Sequence, residues 1–342
     1  MRVSWMTASA IAWMVVFGTV GCGPGNQRRA VDHLTRGQFL LDQGQLEAAL
    51  AELEKAIRLN PELASAYANI GDVYRKSGDH EKARRAYEVA CRIAPYEFRP
   101  HYNLGVTYQL LASAAKAFDE SQRYLRKAVH AYLRAVVLKP RDFDTNLNLS
   151  ACYFQLGKYD MAEQYCQVAV YIDPDSAQAY SNLGIIYDSQ NRLWEAVKAY
   201  KMSLEIEVHQ PELLLNLGST YLRMGPRGRV RSALAAFKLA AVQAPNNSAA
   251  WEYVGLCRYR LREYDKALEA YEKAVSLDPE SPSIQRALGV SCMTLFLLNP
   301  KSEDYHSRAL SAWSRSLSLE PDQEDLLHLV RKYTPAVTGP EL

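Results

Sequence analysis

The chain carries almost no surplus charge. Over 342 residues, 40 Lys and Arg stand against 38 Asp and Glu, a formal net charge of +2. No dense Lys/Arg block adds a local excess, so the electrostatic footprint of a nucleic-acid binder is missing. The residue constellations that carry chemistry are missing too. Seven histidines (His33, His80, His101, His130, His209, His306, His328) are scattered without HExxH, His/Cys pairing or a phosphate loop, and no GxSxG occurs. Six cysteines (Cys22, Cys91, Cys152, Cys166, Cys257, Cys292) show no CxxC spacing, which argues against a zinc site or redox motif. No catalytic residue, metal ligand or cofactor is expected, and the cysteines after Cys22 are expected as buried free thiols.

The N-terminus is unlike the rest. Met1 and Arg2 precede a stretch without charge from Val3 to Gln27, whose apolar part runs from Trp5 to Val20 and ends in Gly18, Thr19, Gly21 and Cys22. One basic residue, an apolar run and a small-residue exit describe an export signal over residues 1–21. The string Thr19-Val20-Gly21-Cys22 resembles the lipobox of bacterial lipoproteins, with Thr19 where Leu is usual. That resemblance implies acylation of Cys22, a bilayer anchor of about 0.8 kcal/mol per buried methylene, and a flexible tether over 22–29. A retained transmembrane helix is the competing reading. Both place the remaining chain outside the cytoplasm. The expected location is the bacterial cell envelope, facing the periplasm, with the outer membrane favoured over the inner.

From residue 30 onward a period appears. Gly37, Gly71 and Gly105 are 34 residues apart, as are Gly184 and Gly218, and Gly255 and Gly289. Other residues recur with them: Tyr67, Ile70, Tyr74, Gly78, Ala83, Tyr87, Ala90 and Pro95 in one unit, Trp251, Val254, Ala267, Tyr271, Ala274 and Pro279 in another. This pattern resembles the tetratricopeptide repeat (TPR) family. The resemblance implies an all-α superhelical solenoid of about eight helix-turn-helix repeats (30–63, 64–97, 98–142, 143–176, 177–210, 211–247, 248–281, 282–321), a capping helix over 322–333 and a tail over 334–342. Small residues at Gly71, Ala83 and Ala90 let paired helices approach to the usual 8 to 10 Å, and aromatic side chains fill the grooves.

Three spacings depart from the period. Gly105 to Ser150 is eleven residues longer; the extra residues, within Gln109 to Lys127, amount to close to three helical turns and predict two lengthened helices that project beyond their neighbours. Gly218 to Gly255 is three longer, and Gly225-Pro226-Arg227-Gly228 predicts a wider turn. Gly289 to Pro321 is eight longer than its counterparts, and Asn299-Pro300-Lys301 predicts a longer loop.

In TPR solenoids the first helix of each pair lines a concave wall that commonly holds peptides. The sixth position of that helix is Asn five times running, at Asn69, Asn103, Asn148, Asn182 and Asn216. This resembles the asparagine ladder of the O-linked N-acetylglucosamine transferases, where such amides hold a peptide backbone. An amide offers a donor and an acceptor to one peptide unit, yet Asn here can equally bond the neighbouring helix, and both readings stand. The same wall is largely apolar at Tyr102, Val106, Leu110, Leu147, Phe154, Ile185, Leu215 and Leu222, and charged toward one end at Asp72, Arg75 and Lys76. Such a groove favours an extended segment with apolar side chains, unless the chain's own segments cover it. The resulting expectation is a membrane-anchored scaffold that binds a protein or peptide partner, no nucleic acid, and assists assembly of an envelope complex. By architecture alone it also resembles pilotins of secretin and pilus systems. An enzyme with an unrecognised site is the alternative of another class.

Overall fold

A computed structural model describes residues 24–225 and 228–334. The expected export segment, Cys22, the start of the tether, Pro226-Arg227 and the tail beyond Thr334 lie outside the described residues. Those residues form seventeen helices and, among them, no strand. The chain divides after Leu138 into two compact units. The first holds α1 (Pro24–Asp42), α2 (Leu46–Leu59), α3 (Ala64–Lys76), α4 (His80–Ile93), α5 (Phe98–Ala114) and α6 (Phe118–Leu138). The second holds α7 (Phe143–Gln155), α8 (Tyr159–Ile172), α9 (Ala177–Ser189), α10 (Leu193–Ile206), α11 (Pro211–Arg223), α12 (Gly228–Gln243), α13 (Ser248–Arg260), α14 (Tyr264–Leu277), α15 (Pro282–Leu298), α16 (Glu303–Leu319) and α17 (Glu324–Tyr333). Within each unit successive helices pair as antiparallel hairpins and each hairpin packs on the next, the order of a TPR solenoid.

The periodic glycines explain the pairing. A Cβ on Gly71 would lie 2.6 Å from the Tyr87 ring, and one on Gly105 2.6 Å from the Tyr132 ring. Gly184 faces Tyr200, Gly218 faces Phe237 and Gly289 faces Trp313 in the same way. These five aromatic side chains are at most 1% exposed, and each contributes on the order of 1.5 to 3 kcal/mol by burial. One hairpin solves the problem differently. Ser150 stands where the others have Gly, and opposite it the second helix carries Cys166 instead of a ring. The smaller thiol leaves room for a hydroxyl, which donates to the Ala162 carbonyl at 2.7 Å.

The turn between the helices of a hairpin also repeats. Gly44, Gly78, Gly157 and Gly225 adopt positive φ at one position, and Asn191 (φ 61°) and Arg262 (φ 63°) occupy the same position in two other hairpins. Glycine takes this conformation without the Cβ clash that other residues meet.

The long third hairpin has lengthened helices, as its spacing predicts: α5 has 17 residues and α6 has 21, against 13 and 14 in α3 and α4. The last hairpin corrects its expectation. Both α15 and α16 have 17 residues, so most of the extra length is helix and Asn299–Ser302 is only a short connection. The apolar run Leu295 to Leu298 continues the helix, and Pro300 merely stops it. Similarly, α12 has 16 residues, so part of that insertion is helical rather than a wider turn. Residues 24 to 29, expected as tether, form the start of α1. Proline suits a first helical position, and Gln27, Arg28 and Arg29 are good helix formers.

Helix α17 closes the second unit. Leu326 is fully buried with Cys292, Met293 and Trp313, and Leu329 and Val330 pack beside it. His306 Nε2 bonds the Tyr333 carbonyl at 2.8 Å. Cys91, Cys152, Cys166, Cys257 and Cys292 are all free thiols. Burial pushes Cys152 and Cys166 up to about 12 and Cys257 and Cys292 up to about 11, so they act as small apolar residues.

Candidate functional site

The asparagine series does not form one uniform ladder. In the first unit it is absorbed by the protein itself. Asn69 is 2% exposed and its amide nitrogen reaches Gln38 Oε1 at 3.5 Å. Asn103 is 9% exposed and donates to Asp72 Oδ1 at 3.1 Å. Asp72, a wall residue by register, is itself buried; it also accepts from Tyr87 Oη at 2.5 Å and pairs with Arg99 and Arg75. Lys76 donates to the Leu41 carbonyl at 3.3 Å. Tyr102 stacks on Phe98 at 5.7 Å and meets Tyr132 at 6.0 Å, and Val106 and Leu110 are half-buried beside it. Asp72 with its partners is therefore an internal tie between α3, α4 and α5.

The second unit differs. Asn148 and Asn182 are half-buried and Asn216 is exposed. Between the first helices α7 and α9 lies a cavity of about 110 Å³, lined by Phe154, Gln155, Asn182 and Ile185 with Ser150, Ala151 and Ile186. At about 30 Å³ per water it has room for a few waters or one aliphatic side chain. Three of the residues singled out from sequence, Phe154, Asn182 and Ile185, thus come together around one opening, with an aromatic wall and an amide at the rim. Leu147 does not join them: at 5% exposure it packs against Ala169 and Ala179 in the core. It lies between Ala169 of its own hairpin and Ala179 of the next, whose small side chains leave space for it. Leu215 and Leu222 pack half-buried against the cluster of Ala233, Phe237 and Val254.

Polar ties between first helices were not visible in the sequence. Thr220 Oγ1 donates to Asp188 Oδ1 at 2.8 Å, and Arg223 pairs with the same carboxylate. Tyr259 and Thr294 hydroxyls meet at 2.9 Å. A second tie recurs at one repeat position. His101 Nε2 donates to the Pro95 carbonyl at 3.0 Å, Asn146 to Pro140 at 3.1 Å, Trp251 to Pro245 at 3.1 Å and Gln285 to Pro279 at 3.0 Å. Each donor lies six residues after its proline, so the signal was a spacing shared by four different side chains. His101 is accordingly packed, and burial holds its pKa below the usual imidazole value, with Arg134 and His130 acting in the same direction.

Among the described residues no cluster of three or more His, Cys, Asp or Glu is placed to hold a metal, and no helix is long and apolar enough to cross a membrane. What the second-unit wall offers is a small apolar recess with amides beside it, which is the chemistry of backbone and side-chain recognition.

Comparison with known proteins agrees with a fold of repeated helical hairpins. Sequence profiles described as TPR repeat match residues 37–78 and 71–111, and profiles described as tetratricopeptide repeat match 141–206 and 215–282. Among curated proteins, the chain is 22% identical over 288 residues to BBSome complex member BBS4 of Bos taurus, covering 84% of this chain and 51% of that protein. It is 23% identical over 300 residues to anaphase-promoting complex subunit 3 of Schizosaccharomyces pombe, covering 87% and 41%. A match to protein O-mannosyl-transferase TMTC1 of Homo sapiens, 23% identical, covers 65% of this chain and 24% of that protein. The chain thus spans about half, or less, of the length of these relatives. Among solved structures, a tetratricopeptide repeat protein from Parabacteroides merdae superposes with a TM-score of 0.52 at 18% identity, covering 77% of this chain and 99% of its own. Pseudomonas aeruginosa PilF superposes with a TM-score of 0.51 at 19% identity, covering 66% and 96%.

Proposed function

This chain belongs to the tetratricopeptide repeat family, and from that premise we propose that it is an envelope-anchored scaffold that grips an extended polypeptide on the first-helix wall of its second unit and catalyses nothing itself. Repeats of this family imply protein–protein interaction, and the curated matches to BBS4 and anaphase-promoting complex subunit 3 are to members of complexes. The observation that carries the finer reading is the recess at Phe154, Asn182 and Ile185. It offers one apolar side chain a pocket and the adjoining peptide unit an amide, and the spacing of stacked first helices, about 10 Å, equals three residues of extended chain at about 3.3 Å each.

The anchor rests on the sequence of residues 1–22, where acylation of Cys22 would hold the protein in a bilayer facing the periplasm. In that setting the guest is a subunit of an envelope complex awaiting assembly, a role of the pilotin kind. Two measurements test the two halves separately. Cys22→Ala is expected to move the protein from the membrane to the soluble fraction, and retention in the membrane removes the lipid anchor from the account. In membranes, crosslinked pulldown with Asn182→Ala combined with Ile185→Glu is expected to lose the partner that wild type retains, and equal recovery removes the wall.

A further inference from the structure

The first unit carries a charged furrow of its own. It lies between α4, α5 and α6, has a volume of about 450 Å³, and is lined by Glu88, His101, Tyr108, Lys127, His130 and Arg134 among others. Equivalent furrows occur elsewhere in the repeat. One between α2, α3 and α4 of about 310 Å³ is lined by Tyr67, and one between α12, α13 and α14 of about 220 Å³ is lined by Trp251. Where those have a large ring, the α4–α5–α6 furrow has the smaller His101, and its volume is the greatest of the three.

Its charge is one-sided. Arg123, Lys127, His130 and Arg134 follow one another at intervals of four, three and four along α6, a spacing that places them on one face. The acids that could neutralise them are already taken. Glu88 binds Arg84 Nη1 at 2.8 Å through both oxygens and accepts from Tyr108 Oη at 2.6 Å. Glu81 binds Arg84 Nε at 2.9 Å and accepts from Tyr124 Oη at 2.8 Å. One arginine thus satisfies both carboxylates of α4, and tyrosine hydroxyls, not ion pairs, bridge them to α5 and α6. Lys127 lies over the Tyr108 ring at 5.6 Å. Among the described residues, neither Lys127, His130 nor Arg134 forms an ion pair, whereas Arg123 at the end of the stripe meets Glu120 at 3.6 Å.

We propose that this furrow is a second docking surface, taking an acidic segment of a partner polypeptide laid along α6. The length of the stripe fits a chain. Lys127 and Arg134 are two turns apart, about 10 Å along the helix, a run matched by about three residues of extended peptide. Lys127 and Arg134 are both exposed, so they are open to a partner and their attraction for it is screened by salt.

The test uses the full chain and a fluorescein-labelled hexaglutamate peptide, with a hexalysine peptide and inorganic phosphate as comparisons at constant ionic strength. Saturable hexaglutamate binding is expected, weakened roughly tenfold by Lys127→Glu with Arg134→Glu and unchanged by Lys238→Glu with Lys266→Glu in the equivalent furrow of the second unit. Lys127→Gln with Arg134→Gln, which keeps length without charge, is expected to weaken binding as well and serves if the Glu pair does not fold. No binding by wild type, equal loss in both furrows, or displacement of the peptide by millimolar phosphate would overturn the proposal.

Discussion

Asn103 donates its side-chain amide to the buried carboxylate of Asp72 at 3.1 Å, joining the first helices of two consecutive hairpins. The same carboxylate receives the Tyr87 hydroxyl at 2.5 Å. Asp72→Ala would leave a fully buried hydroxyl and a nearly buried amide without their acceptor, at a cost of roughly 2 to 4 kcal/mol for the pair. Urea unfolding measures it, and Asp72→Asn, which keeps an acceptor, should cost less. A loss below about 0.5 kcal/mol for Asp72→Ala would mean that water replaces both bonds.

Gly184 and Tyr200 meet with no room for a Cβ, so Gly184→Leu should cost roughly 1 to 3 kcal/mol by overpacking. The matching change in the hairpin that carries Ser150 and Cys166 is predicted to behave differently. There Ser150→Ala adds no atom, and its expected loss of about 1 kcal/mol is that of the bond to Ala162. Thermal melts of the two variants, read side by side, check whether the ring opposite sets the requirement for glycine.

Arg262 holds a positive φ of 63° where four other hairpins have glycine. Arg262→Gly is predicted to stabilise the protein by about 0.5 to 1 kcal/mol, the relief of left-handed strain less the added freedom of glycine in the unfolded chain. Asn191→Gly should gain less, because asparagine tolerates this region. A melting temperature lowered by Arg262→Gly would show that the arginine side chain contributes more than its backbone costs.

His101 has a pKa lowered by burial, with Arg134 and His130 adding to the shift and the bond to Pro95 opposing it. A depressed folded-state pKa means that the unfolded chain takes up the proton first. The contribution is therefore fully present above the unfolded value of about 6.5 and is lost as pH falls through the folded value. His101→Gln should keep the bond, as Gln285 does with Pro279, and flatten the stability profile between pH 7 and pH 5. An unchanged slope in the variant would assign the pH dependence to other groups.

Much of the fold could be read from spacing, because each helical hairpin places a small residue where its second helix packs closest, most often against a ring, and Gly71, Gly105 and Gly184 mark it without ambiguity. The lengthened α5 and α6 followed from an insertion of nearly three whole turns. The last hairpin could not be read the same way, since Pro300 signals an end to helix but says nothing of how far Leu295 to Leu298 carry it first. The site was less legible. Asn69, Asn103 and Asn182 share one repeat position, yet Asn103 has Asp72 within reach and Asn182 borders an open recess, and that difference depends on a residue 31 positions earlier in the chain. Leu147 was misplaced for a related reason: the next hairpin presents Ala179, and a leucine fills the space that remains. The basic stripe of α6 escaped notice because its residues are dispersed in sequence and gather only on the helix surface.

The central claim is that the recess at Phe154, Asn182 and Ile185 holds a side chain of a guest polypeptide. The most direct measurement places a photo-crosslinking amino acid at Gln155, on the rim of that recess, and another at Tyr171, which is 74% exposed on the second helix α8. The account predicts that, in membranes, position 155 captures one defined partner peptide, identified by mass spectrometry, and position 171 does not. Capture of the same peptide from both positions, or from 171 alone, would contradict it.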